Sequence, residues 1–286
     1  MMTFLLPWVA NREMRPQSPP MLRNMTTLLA VLALASSAAA SSTSWTESEG
    51  GSIRIVTTGL SDENGELRGA LEIKLKPGWK TYWRNPGESG VPPLINLSEQ
   101  SDATGSELFF PPPERFTDPY ATWAGYKDSV SLPIIFKLPG PEMAGIVEGS
   151  VFLGICDTIC IPVEAPFSFD AGADPDNSGD AIAVTEAFAT LPGKARQGFQ
   201  VNSVKREGTR LRFKVELPED TGEAALFVAP REGVQIDMPE LQGRQGAEAS
   251  FSAEILSEEA MRNADLTLEY TLVAGEEAVD GQIALP

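Results

Sequence analysis

Histidine is absent from the 286 residues, and cysteine occurs only twice. Without an imidazole the chain cannot build Ser-His-Asp or Cys-His catalysis, a His-ligated zinc or haem site, or imidazole acid–base chemistry. Two cysteines alone cannot supply the four thiolates of a zinc site or an iron–sulfur cluster. Positive charge is also scarce: 22 Lys and Arg stand against 40 Asp and Glu, for a net charge of −18. So acidic a chain repels the phosphate backbone of nucleic acid and anionic membrane surfaces alike. What the sequence does have is apolar material, 42% of its residues, enough for one large core or two modest ones.

One apolar run, Leu28 to Ala35, follows Arg23 and precedes Ala38-Ala39-Ala40. That order of charge, apolar run and small residues is a secretory signal, with cleavage expected before Ser41. The run is short for a hydrocarbon layer about 30 Å thick, which weighs against the rival reading of an N-terminal anchor. Met21 reads as the start of translation, with residues 1–20 ahead of it. Removal of residues 1–40 takes away Arg12, Arg15, Arg23 and Glu13, which moves the net charge from −18 to −20 over the remaining 246 residues. No later segment is apolar enough to cross a membrane, so the mature chain is expected to be soluble and exported, most simply to a bacterial periplasm. That compartment permits disulfides.

Alternation by twos dominates the rest of the chain. Leu71, Ile73 and Leu75 alternate with Glu72, Lys74 and Lys76; Leu211, Phe213, Val215 and Leu217 with Arg212, Lys214 and Glu216; Leu266, Leu268, Tyr270 and Leu272 with Thr267, Glu269 and Thr271. Each reads as a strand with one buried and one wet face. Further strands are expected at 53–60, 130–138, 147–155, 165–170, 224–229 and 249–256. Pro/Gly clusters punctuate them. Asp170 to Asp180 is Gly/Asp/Pro/Asn-rich and reads as a linker, followed by an Ala-rich helix over Ala181 to Leu191. The pattern is all-β: a domain over 41–170, a linker with a short helix over 171–197, and a second β domain over 198–286, both of ordinary sandwich size.

The two cysteines form Cys156-Asp157-Thr158-Ile159-Cys160, between a strand ending at Ile155 and a run from Ile161 interrupted by Pro162 and Pro166. A pair flanking so tight a connection can reach the Cα separation of about 4.4–6.8 Å that a disulfide needs. A structural staple is one reading. A loop this short stabilises by only about 2 kcal/mol in the chain-entropy model, against about 4.7 for a 100-residue loop. The other reading is a bond exposed enough to exchange. Spacing alone leaves both open. Asp157 is adjacent and the nearest Lys or Arg along the chain is Lys137, so the pair is not self-activating in sequence and would suit a dedicated partner.

Three segments together resemble one family. They are Lys76-Pro77-Gly78-Trp79-Lys80-Thr81-Tyr82-Trp83-Arg84-Asn85-Pro86-Gly87-Glu88-Ser89-Gly90, then Gly125-Tyr126-Lys127-Asp128-Ser129-Val130-Ser131-Leu132-Pro133-Ile134, then Cys156 to Pro162. Over roughly residues 50–170 the chain resembles the periplasmic N-terminal domain of the thiol:disulfide interchange protein DsbD and its relative in the ScsB copper-tolerance reductases. The resemblance implies an immunoglobulin-like sandwich and a protein-disulfide reductase role without organic cofactor or metal. Its pair would take electrons from a membrane donor of the CcdA/DsbD type and pass them to periplasmic thioredoxin-like proteins. It implies that Cys160 forms mixed disulfides and Cys156 resolves them. It also implies an aromatic cap from Asp118-Pro119-Tyr120-Ala121-Thr122-Trp123, with Tyr120 or Trp123 as the shield; both can equally be read as edge aromatics. Trp79, Tyr82 and Trp83 are expected in the core. ScsB-type proteins carry a second immunoglobulin-like domain, in keeping with the division above. The C-x3-C spacing is shorter than in the best-known DsbD domain. The membrane and thioredoxin-like domains of full-length relatives are not in this sequence, so the expectation is either a separate protein as electron source or a chain that has drifted to a different job. The rival functions are a copper-binding module using Cys156, Cys160 and Met143, and an adaptor with a structural disulfide.

Overall fold

The computed structural model describes residues 41–87, 90–117, 122–141, 145–219, 221–230, 235–257 and 267–285. The expected leader over 1–40, the candidate cap residue Tyr120, the candidate ligand Met143 and the strand residue Leu266 lie outside the described residues.

Among the described residues eleven strands come first: β1 (Thr46–Glu47), β2 (Gly51–Thr57), β3 (Glu66–Leu75), β4 (Thr81–Tyr82), β5 (Leu94–Leu97), β6 (Gly105–Leu108), β7 (Glu114–Thr117), β8 (Thr122–Tyr126), β9 (Val130–Lys137), β10 (Ile146–Cys156) and β11 (Cys160–Asp170). They form a five-stranded sheet β1-β2-β3-β9-β6, a three-stranded sheet β11-β10-β5 and a small sheet β4-β8-β7. The two-residue period sorts the side chains. Leu71 and Ile73 of β3 are buried while Lys74 is exposed, and Val151, Leu153 and Ile155 of β10 meet the same core from the opposite sheet. Phe136 packs between Phe167 and Phe169, with ring centroids 6.3 and 5.8 Å away.

The interruption expected at Pro162 and Pro166 does not occur; β11 runs unbroken from Cys160 to Asp170. The reason is its place and phase. β11 is an edge strand, paired only with β10 among the described residues. Cys156 spends its N–H and C=O on Lys80, on the far side of β10, so Cys156 and Cys160 face each other as a non-hydrogen-bonded pair. Pro162 and Pro166, two and six positions later, hold the same phase. The N–H that each lacks would have pointed off the open edge, which is where a sheet tolerates proline.

One helix follows, α1 (Ser178–Ala189). Asn177 caps it, its side-chain oxygen accepting from the N–H groups of Gly179 and Asp180 at 3.1 and 3.2 Å, and Asp180 places a negative charge in the first turn. Val184 and Ala187 bury against Val56 of β2 and Ala70 of β3, on the outer face of the five-stranded sheet. Asn177→Ala is expected to cost about 1 kcal/mol, read as a lower denaturant midpoint at unchanged slope.

Among the described residues eight strands follow: β12 (Gly193–Lys194), β13 (Gln200–Glu207), β14 (Arg210–Glu216), β15 (Ala224–Pro230), β16 (Glu240–Gln245), β17 (Glu248–Glu254), β18 (Thr267–Ala274) and β19 (Glu277–Ala284). They form the sheets β12-β19-β18-β15 and β13-β14-β17-β16. Leu211, Phe213 and Val215 of β14 point inward with Phe251 of β17, meeting Leu226, Leu268 and Leu272 of the other sheet. The architecture is all-β and immunoglobulin-like. Phe227, Ala229 and Met238 join the core of the N-terminal sheets instead, so β15 gives Phe227 and Ala229 to that core and Leu226 and Val228 to the core of its own sheets.

Candidate redox site

The site grows from a tight hairpin. β10 and β11 stay in register to their last pair, Cys156 opposite Cys160, and Asp157 N–H closes the turn onto Ile159 C=O at 3.1 Å. In a non-hydrogen-bonded antiparallel pair the Cα atoms lie about 4.5 Å apart with their side chains on the same face. Here the Cα atoms are 4.1 Å apart and the sulfurs are bonded to each other.

The two cysteines differ in exposure. Cys156 is 1% exposed, closed in by its two backbone bonds to Lys80, with Cys156 C=O accepting at 2.8 Å and Cys156 N–H donating at 2.9 Å. Cys160 is exposed, as are Asp157, Thr158 and Ile159. Ile159, at 68%, is the most exposed of the large hydrophobic side chains among the described residues. A reactant in solution therefore meets Cys160 first, next to an apolar side chain and an acidic one.

The Tyr82 hydroxyl lies 3.3 Å from Cys160 Sγ. A disulfide sulfur has no proton to give, so the hydroxyl is the donor. The core position expected for Tyr82 holds, since it is 3% exposed, but its polar tip reaches the sulfur. Sequence reading missed that contact because the partner lies 78 residues away. The only signal was the spacing of Lys80 and Tyr82, which in a strand share a face. Trp123, a candidate cap, is 3% exposed; it stacks on Phe116 at 4.3 Å and meets Tyr82 edge-on at 5.7 Å. It backs the tyrosine that touches the sulfur. Lys80 Nζ sits 4.3 Å from the centre of the Trp123 ring. A cation absent from the neighbouring sequence is thus brought by β4 into the site's aromatic cluster.

Close approach of β4 and β8 holds these groups. Tyr82 pairs with Gly125 and Thr81 with Tyr126, while Thr81 Oγ donates to Gly154 C=O at 2.9 Å, tying β4 to β10. A Cβ on Gly125 would lie 2.2 Å from the Thr81 carbonyl oxygen, so only glycine allows this pairing. Burial pushes the Tyr126 hydroxyl well above its usual pKa, so it stays protonated and donates to Pro111 C=O at 2.8 Å.

Residues 56–171 match the family described as thiol:disulfide interchange protein DsbD, N-terminal. No curated protein matches the chain. Among solved structures, the N-terminal periplasmic domain of ScsB from Proteus mirabilis has a similar fold, with a TM-score of 0.73 at 21% identity. The likeness covers 86% of this chain and 98% of that one, so the shared fold takes in the C-terminal sheets as well as the hairpin. No helix among the described residues is long and apolar enough to cross a membrane.

Proposed function

We propose, from the premise that residues 56–171 are a domain of the DsbD N-terminal type, that this protein exchanges electrons with partner proteins through the Cys156–Cys160 pair. The observation that carries the reading is the asymmetry of the disulfide, one sulfur sealed in the sheet and the other at an exposed hairpin end. A structural staple has no use for that difference. An exchanging pair does, because attack and resolution fall to different sulfurs.

In the reducing direction the Cys160 thiolate attacks a sulfur of the partner's disulfide. A mixed disulfide forms and the partner's second sulfur leaves as thiolate. Cys156, across the strand pair, then attacks Cys160 Sγ; the Cys156–Cys160 bond forms and the mixed bond breaks. Two electrons and two protons have passed to the partner. Recharging is the reverse, with a donor dithiol attacking Cys160. Tyr82 stabilises the thiolate by donating to it, since hydrogen bonds to a charged group favour that charged form. The sulfurs carry the electrons, so the step uses no other cofactor.

Thioredoxin-like proteins are the proposed acceptors and a membrane reductase of the CcdA/DsbD type the proposed donor, in the periplasm after removal of a leader ending near Ala40. The organisation we propose is a redox sandwich over 41–170, a linker with a helix over 171–197 and a second sandwich over 198–286. The chain's strong acidity favours partners with an electropositive rim.

The test is equilibration of the full chain with a graded dithiol buffer, with the reduced fraction read by alkylation. An exchanging pair has a reduction potential above about −300 mV. A value well below that makes the bond an inert staple and ends this reading.

A further inference from the structure

The role of the C-terminal sheets follows from how they hold the small sheet β4-β8-β7, which stands between them and the disulfide. We propose that they set the geometry of the redox pair, gripping that sheet through Arg84 and Arg115, and that both arginines are positioning residues acting through Tyr82. The inference rests on the exchange reading and adds to it a part for the rest of the chain.

The β4 arm is tied along its length. Lys80 bonds Cys156, Thr81 bonds Gly154 and Tyr82 meets Cys160. The next residues turn to the other body. Trp83 meets Phe227 edge-on at 5.8 Å, and Arg84 lies over the Trp83 ring. Arg84 Nη1 pairs with Glu269 at 3.4 Å, and its Nη2 donates to Thr271 Oγ at 3.3 Å and lies 4.0 Å from Asp280. Asn85 Nδ2 donates to Val228 C=O at 2.7 Å. An extended chain rises about 3.3 Å per residue, so about 7 Å of taut backbone joins the Arg84 anchor to Tyr82.

The β7 arm repeats the arrangement. Arg115 Nη2 donates to Leu226 C=O at 3.4 Å and to Pro239 C=O, both in the C-terminal part. Its neighbour Phe116 stacks on Trp123, which backs Tyr82. One arginine thus fixes the backbone that carries the tyrosine, and the other fixes the aromatic wall against which the tyrosine rests.

Stability does not account for this grip. Arg84 Nε and Arg115 Nε are buried without a hydrogen-bond partner among the described residues, and burial pulls the Arg115 guanidinium below its usual pKa. Asp280, beside Arg84, is held above the usual carboxylate range because burial outweighs the help of Thr271 and Arg84. Cations and carboxylates kept in such surroundings subtract from stability or leave it level. What they provide is a defined placement of the sheet that carries Tyr82.

The experiment uses the full chain with Cys156→Ser, reduced, so that iodoacetamide reports Cys160 alone across a range of pH, with the melting temperature measured alongside. Tyr82→Phe is expected to raise the midpoint of the profile and slow alkylation at pH 7 about tenfold, the effect of one pKa unit. Arg84→Gln and Arg115→Gln are each expected to slow it about threefold, half a unit in the same direction. Arg84→Gln added to Tyr82→Phe is expected to change nothing further, because the tyrosine through which it acts has lost its hydroxyl. The proposal is overturned if the arginine variants lower the melting temperature and leave the midpoint where it was, if their effect multiplies with that of Tyr82→Phe, or if Tyr82→Phe itself is silent. If Arg84→Gln does not fold, Asn85→Ala, which removes only the bond to Val228, is held to the same outcomes. Failure of the exchange reading is separate and shows as a wild-type disulfide that no dithiol buffer opens.

Discussion

With Cys156 replaced by serine, the chain is expected to capture a thioredoxin-like partner as a stable mixed disulfide through Cys160; with Cys160 replaced instead, capture is expected to disappear. The asymmetry follows from the two environments. Cys160 is exposed at the end of the hairpin, and its peptide groups face the open edge of β11. Cys156 is 1% exposed, and its peptide groups are committed to Lys80. A partner disulfide can be brought into line with Cys160 Sγ without moving the sheet, whereas reaching Cys156 means opening the pairing of Lys80 with β10. In the proposed cycle Cys156 resolves the mixed disulfide; serine in its place cannot, so the adduct is expected to persist. Electrophoresis without reductant, followed by mass spectrometry of the adduct, reads the result. Equal capture by both variants would mean that the burial difference does not govern attack.

The second large effect is expected at a residue with no side chain. Gly125→Ala places a Cβ 2.2 Å from the Thr81 carbonyl oxygen and 2.9 Å from Tyr82 Cα. Both are backbone atoms, so neither can swing aside, and β4 must part from β8. Overpacking of this kind costs about 3 kcal/mol. For a chain of this size that is a loss of about 6–12 °C in melting temperature. The redox site suffers with it, since the same movement carries Tyr82 away from Cys160. Gly105→Ala is the control. It too sits in a strand, but its nearest neighbour would be Lys137 Cδ at 3.9 Å, ordinary contact. It is expected to leave both the melting temperature and the thiol chemistry unchanged. If the two variants behaved alike, the close approach of β4 and β8 would not be what holds the site.

The strands with alternating faces were legible because a period of two is written locally: Leu71 and Ile73, or Leu211 and Phe213, declare their buried side within a few residues. The hairpin was legible for the same reason, since Cys156 and Cys160 face each other across three residues. The short strands were not. β4 is two residues long, and what makes it a strand is β8, more than forty positions later. Tyr82 at the sulfur and Lys80 on Cys156 are products of that distant pairing, and no spacing rule announces them. The linker prolines and glycines marked a change of structure before α1 well enough, yet nothing local told that Trp83, Arg84 and Asn85 would dock on strands near residues 228, 270 and 280. Pro162 and Pro166 misled because proline reads as a breaker unless the strand is known to be an edge and the phase of its hydrogen bonds is known too.

Everything in the functional account depends on the hairpin bond opening and closing in use. The direct measurement mixes the oxidised full chain with a large excess of a strongly reducing dithiol protein standing in for the donor, quenches with an alkylating agent after set times and weighs the intact chain. The account predicts that the mass of the chain rises by two alkyl groups, both mapped to Cys156 and Cys160, the only cysteines present. A chain that keeps its disulfide unmodified throughout, under conditions that leave the partner active on other disulfides, would contradict it.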